Sequence, residues 1–120
     1  MKEIQIADRR FRLSADQLDG RWTGRAICAD TGHPFGVDSS GATEDEAIGR
    51  LTCWLEWQHA HFEALEALQR AERAYHRTIA GNAFASAARG PSPLELQRAS
   101  LDAVDAARIH LDAVRARQPR

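Results

Sequence analysis

Few residues in this chain have types and spacing that could do chemistry. Glu56 and His59 stand three apart, and Glu63 follows four residues later. On a helix these side chains share a face. A Glu-x-x-His pair with another glutamate is part of the ligand set of a di-iron carboxylate site. A complete site needs a second Glu-x-x-His and further glutamates facing inward, which only a second chain could supply. The same spacing puts Glu56, His59 and Glu63 roughly opposite the apolar stripe of their segment, where water is expected. The plainer assignment is a solvated face, so no cofactor or resident metal is expected.

A zinc site would have to draw on Cys53 and His61 with Cys28 and His33, whose spacings do not match a four-ligand set. Nucleophilic catalysis finds no strand-turn-helix elbow and no triad spacing, and no glycine-rich loop precedes a helix to cradle phosphate. Arg9, Arg10, Arg12, Arg21 and Arg25 would line one surface of a sheet with Trp22 nearby, an arrangement that suits RNA. Acids are interleaved with them one for one, which favours a solvated sheet face. No enzyme is expected.

The element that would position most of these residues is one long helix, from about Thr43 to about Ala80. Thr43-Glu44-Asp45-Glu46 is a capping box in which hydroxyl and carboxylate satisfy free backbone N–H groups. The segment then runs without Pro or Gly, except Gly49, until Gly81-Asn82 offers a stop. At about 1.5 Å per residue it would be roughly 55 Å long. Three lanes repeat every seven residues: Ala47, Trp54, His61, Leu68, Tyr75; Leu51, Gln58, Leu65, Glu72, Ile79; and Ile48, Leu55, Phe62, Gln69, His76. A period of seven favours a left-handed helix–helix seam. Trp54, Trp57 and Phe62 read as core anchors, and His61 as a hydrogen-bonded core or interface residue whose pairing with Gln58 or Glu72 would fix register. The first half is expected to pack on a sheet, and the second on another helix or a second copy.

Composition bounds the rest. At 120 residues, with 43% hydrophobic and 28% charged residues, the chain reads as one globular domain. Its net charge of −1 attracts neither nucleic acid nor membrane. By segment, residues 1–42 carry six acids and six bases, 43–80 seven and four, and 81–120 four and six. None is a basic patch. Met1-Lys2-Glu3-Ile4-Gln5-Ile6 lacks a signal peptide's apolar run, and no stretch is suited to span a bilayer. Cys28 and Cys53 are expected as free thiols in a reducing compartment, so the cytoplasm is the expected location.

Residues 1–42 predict a three- or four-stranded antiparallel meander. Ile4 and Ile6 alternate, a turn is expected at Asp8-Arg9 or Arg9-Arg10, and Phe11 and Leu13 alternate again. Asp19-Gly20 is a strong hairpin signal. Trp22, Gly24, Ala26 and Cys28 then share one face, Thr31-Gly32 turns the chain, and Phe35 and Val37 mark a fourth short run. Ser39-Ser40-Gly41 leads to the cap. Residues 81–93 read as a connector with a partial turn around Phe84. Ser92, Pro93 and Glu95 read as a second helix start, and the helix runs over 94–117. Its stripe is Leu101, Val104, Ala107, Leu111 and Val114.

From Gly20 to about Leu55 the order is strand, strand, Gly-x-Thr-x-x-Glu-Ala, helix, the motif standing as Gly41-Ala42-Thr43-Glu44-Asp45-Glu46-Ala47. This resembles the N-terminal module of HicB-type antitoxins, itself similar to part of a double-stranded-RNA-binding fold. The resemblance covers about a third of the chain. It implies a three-stranded sheet with a helix across it and a partner-binding role. The chain departs from that family in its longer helix, and in a second helix where such antitoxins often carry a DNA-binding domain.

The expected fold is α+β: a meander covered by a long helix, then an antiparallel helical hairpin closed by the C-terminal helix. The expected function is a non-catalytic protein–protein interaction or assembly module. It would be a homodimer with Trp54, Trp57, His61, Leu65 and Leu68 at or beside the seam, and an unknown protein partner is the other docking candidate. An antitoxin-like or RNA-binding regulator and a carboxylate/His metal-binding protein are the alternatives.

Overall fold

A computed structural model describes residues 2–82, residue 90 and residues 92–119. Four strands come first: β1 (Lys2–Ile6), β2 (Arg9–Leu18), β3 (Arg21–Cys28) and β4 (Pro34–Gly41). Two helices follow, α1 (Glu44–Asn82) and α2 (Pro93–Ala116). The strands form one antiparallel sheet in the order β1-β2-β3-β4. This is the expected meander, with four strands, packed on a long helix that the C-terminal helix contacts. The chain divides into two compact units, Met1–His59 with Gln118–Arg120, and Ala60–Arg117. No helix among the described residues is long and apolar enough to cross a membrane.

In the first unit, register sets the core. Ile4 pairs with Phe11, Leu13 with Ala26, and Phe11 with Cys28, so alternate residues of three strands point to one face. Phe11, Leu13 and Ala26 meet Leu51 and Leu55 of α1 there, and Ile4, Ile6, Phe35 and Ile48 pack around them. Leu13 and Leu51 are fully buried. Phe35 stands edge-on to Phe11, with ring centroids 5.0 Å apart. Two glycines let the helix approach closely. A Cβ on Gly24 would lie 3.1 Å from the Ala47 carbonyl oxygen, and one on Gly41 2.8 Å from the Ala47 nitrogen.

Three expectations shift. The first turn is Ala7-Asp8, ahead of Asp8-Arg9 or Arg9-Arg10, because Ile6 pairs with Arg9. A later turn would change the register that sets Ile4 against Phe11 on the core face. The chain accepts a left-handed Ala7 (φ 55°) to make it. β2 is ten residues long, beyond the short runs read from the sequence, because Ala15, Asp16, Gln17 and Leu18 keep pairing with β3. Ser39, Ser40 and Gly41 are strand rather than lead-in, paired with Gly24, Thr23 and Trp22. The Asp19-Gly20 turn forms as expected, both residues at positive φ (52° and 78°), the pattern of a tight primed hairpin turn.

Both helix starts follow their capping signals. The Glu46 N–H donates to Thr43 Oγ1 (3.1 Å), and the Glu46 carboxylate accepts from the Ala42 N–H (3.0 Å). Arg50 then bridges Glu46 (2.6 Å) and donates to the Ser40 carbonyl (2.9 Å). Ser92 caps α2 through the Glu95 N–H (3.2 Å), and Glu95 reaches back to the Ser92 N–H (3.2 Å), with Pro93 as the first helical residue. α1 takes in Gly81 and Asn82, two residues past its expected end, the scale on which helix ends vary. The expected connector turn at Phe84 lies outside the described residues.

The second unit is an antiparallel hairpin of α1 and α2. Three contacts fix its direction: His61 with Arg115 (3.3 Å), Thr78 with Ser100 (3.0 Å), and Asn82 with the Pro93 carbonyl (2.8 Å). His61, Thr78 and Asn82 belong to one three-four series with Ala64, Leu68, Ala71 and Tyr75 between them. The matching series on α2 is Gln97, Ser100, Val104, Ala107, Leu111 and Val114. These are the seam positions of a helix pair. Ala64, Val104, Leu111 and Val114 are buried in it. The expected α2 stripe is therefore corrected at one end. Ser100 occupies the seam, and Leu101, one residue further round, is 43% exposed.

Candidate functional site

Glu56 and Glu63 are exposed and His59 is half-buried. Cys28 closes β3, His33 is exposed in the β3–β4 connection, and Cys53 is exposed on α1. Both cysteines are free thiols. No group of three or more His, Cys, Asp or Glu among the described residues is placed to hold a metal ion.

Cys28 has the most distinctive chemical environment. The Thr31 hydroxyl hydrogen-bonds its sulfur, and the backbone N–H groups of Asp30 and Thr31 point to it, so its pKa falls below the ordinary thiol value of 9.0. The turn that does this is closed by Gly32 N–H to the Cys28 carbonyl (2.8 Å) and Cys28 N–H to the His33 carbonyl (3.0 Å).

The arginine surface is also not what RNA recognition needs. Strand alternation puts Arg10, Arg12, Arg21 and Arg25 on the face away from α1. Trp22, paired with Gln17 and Gly41, is on the α1 side. The expected neighbourhood of Trp22 and these arginines is thus corrected, because neighbours along a strand point to opposite faces. Arg9 is on the side of Trp22 as well. Acids answer the cations: Arg10 holds Asp30 at 3.0 Å and Glu3 at 4.0 Å, and these partners raise its pKa. Arg25 pairs across strands with Asp38.

A crevice of about 400 Å³ opens beside the start of α1, lined by Lys2, Leu13, Glu44, Asp45, Ile48 and Gly49. Its three ionisable side chains are exposed. It lacks the desolvated acid or base that a catalytic site tunes.

What remains are the helix faces. Trp54 and Trp57 are half-buried and pack edge to face, 5.7 Å between centroids. His61 and Leu68 lie on the lane that meets α2, and His61 Nε2 accepts from Arg115 Nε of the same chain. Leu65 lies on the next lane, half-buried. Phe62, read from the sequence as a core anchor, is 55% exposed. It cannot enter the seam because it follows His61, about 100° further around the helix.

One lane escaped the sequence reading altogether. Trp57, Ala64, Ala71 and Thr78 recur every seven residues, and the last three belong to the seam. Their small side chains do not register as an apolar stripe, although alanines seven apart beside a Leu/Tyr lane are a signal for close helix packing. Small residues make up most of the buried part of the seam, where Leu68 and Tyr75 are half-buried, and six large apolar residues are left exposed. Phe62, Ile79, Leu94, Leu96, Leu101 and Ile109 are all exposed in this unit. No family model matches the sequence, and no curated protein and no solved structure matches it either.

Proposed function

We propose that this protein is a non-catalytic assembly module that works as a homodimer, pairing through the α1–α2 hairpin. The observation that carries the reading is the inversion in the second unit. Six large apolar side chains are exposed there, while the buried set is one alanine, one leucine and two valines. A monomer seldom keeps such surface in water, and exposed apolar patches mark interfaces. Two such hairpins pressed together make a four-helix bundle, the common way for a two-helix unit to complete a core. A twofold pair is the simplest closed assembly.

The test is mass in solution. Size-exclusion chromatography with light scattering should give twice the 13.3 kDa chain mass. The double change Phe62→Asp with Leu65→Asp should return it to one chain with helicity retained. A wild type that elutes as one chain at tens of micromolar defeats the proposal.

A further inference from the structure

The reading as a dimer leaves open which side of the hairpin pairs, and the lanes answer that. Two antiparallel helices are related by an approximate twofold axis perpendicular to both. The residue that follows each seam position therefore points to the same side of the hairpin on both helices. On α1 those residues include Phe62, Leu65 and Ile79; on α2 they include Leu101, and Leu94 where the series continues back to Pro93, which Asn82 contacts. Five apolar side chains thus share one flank. Phe62, Ile79, Leu94 and Leu101 are 55%, 40%, 75% and 43% exposed. A large side chain presents roughly 150–200 Å², so the flank offers on the order of 400 Å² of apolar surface. A standard interface removes about 800 Å² per partner, somewhat over half of it apolar. The flank supplies that share.

Charge selects the pairing. The α1 side of the flank carries Glu72 and no Lys or Arg. The α2 side carries Arg98, Arg108 and Arg115 against Asp105 and Asp112. The contacts of Thr78 with Ser100 and His61 with Arg115 bring Glu72 within about one helical turn of the level of Arg108. Among the described residues neither makes an ion pair. α1 against a partner's α1 would bring two Glu72 carboxylates together. α1 against a partner's α2 sets Glu72 level with Asp105 and about one turn from Arg108, the cation nearest to it on that side.

We infer that the flank of Phe62, Leu65, Ile79, Leu94 and Leu101 is covered by a second copy of this chain, α1 lying on the partner's α2, with Glu72 of each copy answering Arg108 of the other. This rests on the homodimer reading above. The dyad then runs along the helix axes, so each dimer holds two such pairs.

Charge reversal tests it. Glu72→Arg and Arg108→Glu, each alone, should raise the dimer dissociation constant by about tenfold or more, since like charges then face each other twice. Mixing the two single variants should restore wild-type affinity, because each copy complements the other at both positions. Circular dichroism of each variant should keep wild-type helicity. Dimers that neither reversal weakens, or a weakening that only the double variant within one chain and never mixing repairs, overturn this pairing and leave the dimer standing. A monomeric wild type overturns both. A flank that only an unrelated chain covers would show as a monomer in this assay.

Discussion

The two units solve the burial problem in opposite ways. In the first, the large side chains are inside: Phe11, Leu13, Leu51 and Leu55 are buried between sheet and helix, and glycines at positions 24 and 41 bring the two layers together. In the second, alanine, valine and a single leucine are inside and the larger chains lie outside. A helix laid across a sheet can close a core by itself. Two helices meeting along one seam cannot, since each has about half its circumference still facing water. The first unit therefore closes a core, and the second, among its described residues, leaves six large apolar side chains exposed.

The sharpest way to break this contrast is at its most buried point. Leu51→Ala should cost about 2–5 kcal/mol, transfer plus cavity, because Leu51 is fully enclosed. Leu101→Ala removes the same atoms from an exposed position. It should leave the melting temperature of dilute protein nearly unchanged, with its effect confined to assembly. Equal losses in thermal denaturation would erase the distinction between the units. Next in size is the small-residue seam. Ala64→Leu should destabilise by about 1–3 kcal/mol through overpacking, where a true gap would have gained from the added atoms. Urea denaturation decides which.

The caps come lower. Thr43→Ala and Ser92→Ala should each cost about 1 kcal/mol, one at the start of each helix, measured by the shift in melting temperature. An unchanged melting temperature for Thr43→Ala would place the helix start elsewhere. The smallest effect sharpens the first unit without touching its core. In a Cys53→Ser background, the pH midpoint of Cys28 alkylation should lie below 9.0. A hydrogen-bonded thiolate persists to lower pH, so reactivity begins at lower pH than for an ordinary thiol. Thr31→Val removes the largest cause, and the midpoint should rise.

The meander and both helix starts were legible because each rests on local chemistry. Alternation around Phe11 and Leu13, positive φ at Asp19-Gly20, and a hydroxyl three residues ahead of a glutamate are short-range signals. The first turn was misplaced by one or two residues. Ala7 gives no sign of a left-handed φ, and only the pairing of Ile4 with Phe11 demands it. The helical hairpin was legible in outline and misread in detail. Phe62 and Leu101 are strong apolar residues, so they were assigned to the interior ahead of Ala64 and Ser100. Which lane a partner helix takes depends on how closely two backbones approach, and that favours the small side chains the hydropathy pattern overlooks. The same misassignment kept Phe62 and Leu101 out of the expected interface, which named only Leu65 of this flank.

The central claim is that the outward flank of the hairpin is covered in solution, and side-chain footprinting tests it residue by residue. Hydroxyl-radical labelling across a dilution series should find Phe62, Leu94 and Leu101 protected at high concentration and increasingly reactive on dilution. Leu18 in the first unit and Ile109 on the outer face of α2, exposed by 75% and 69%, should stay reactive throughout. Phe62, Leu94 and Leu101 labelling at every concentration as freely as those two would contradict the account.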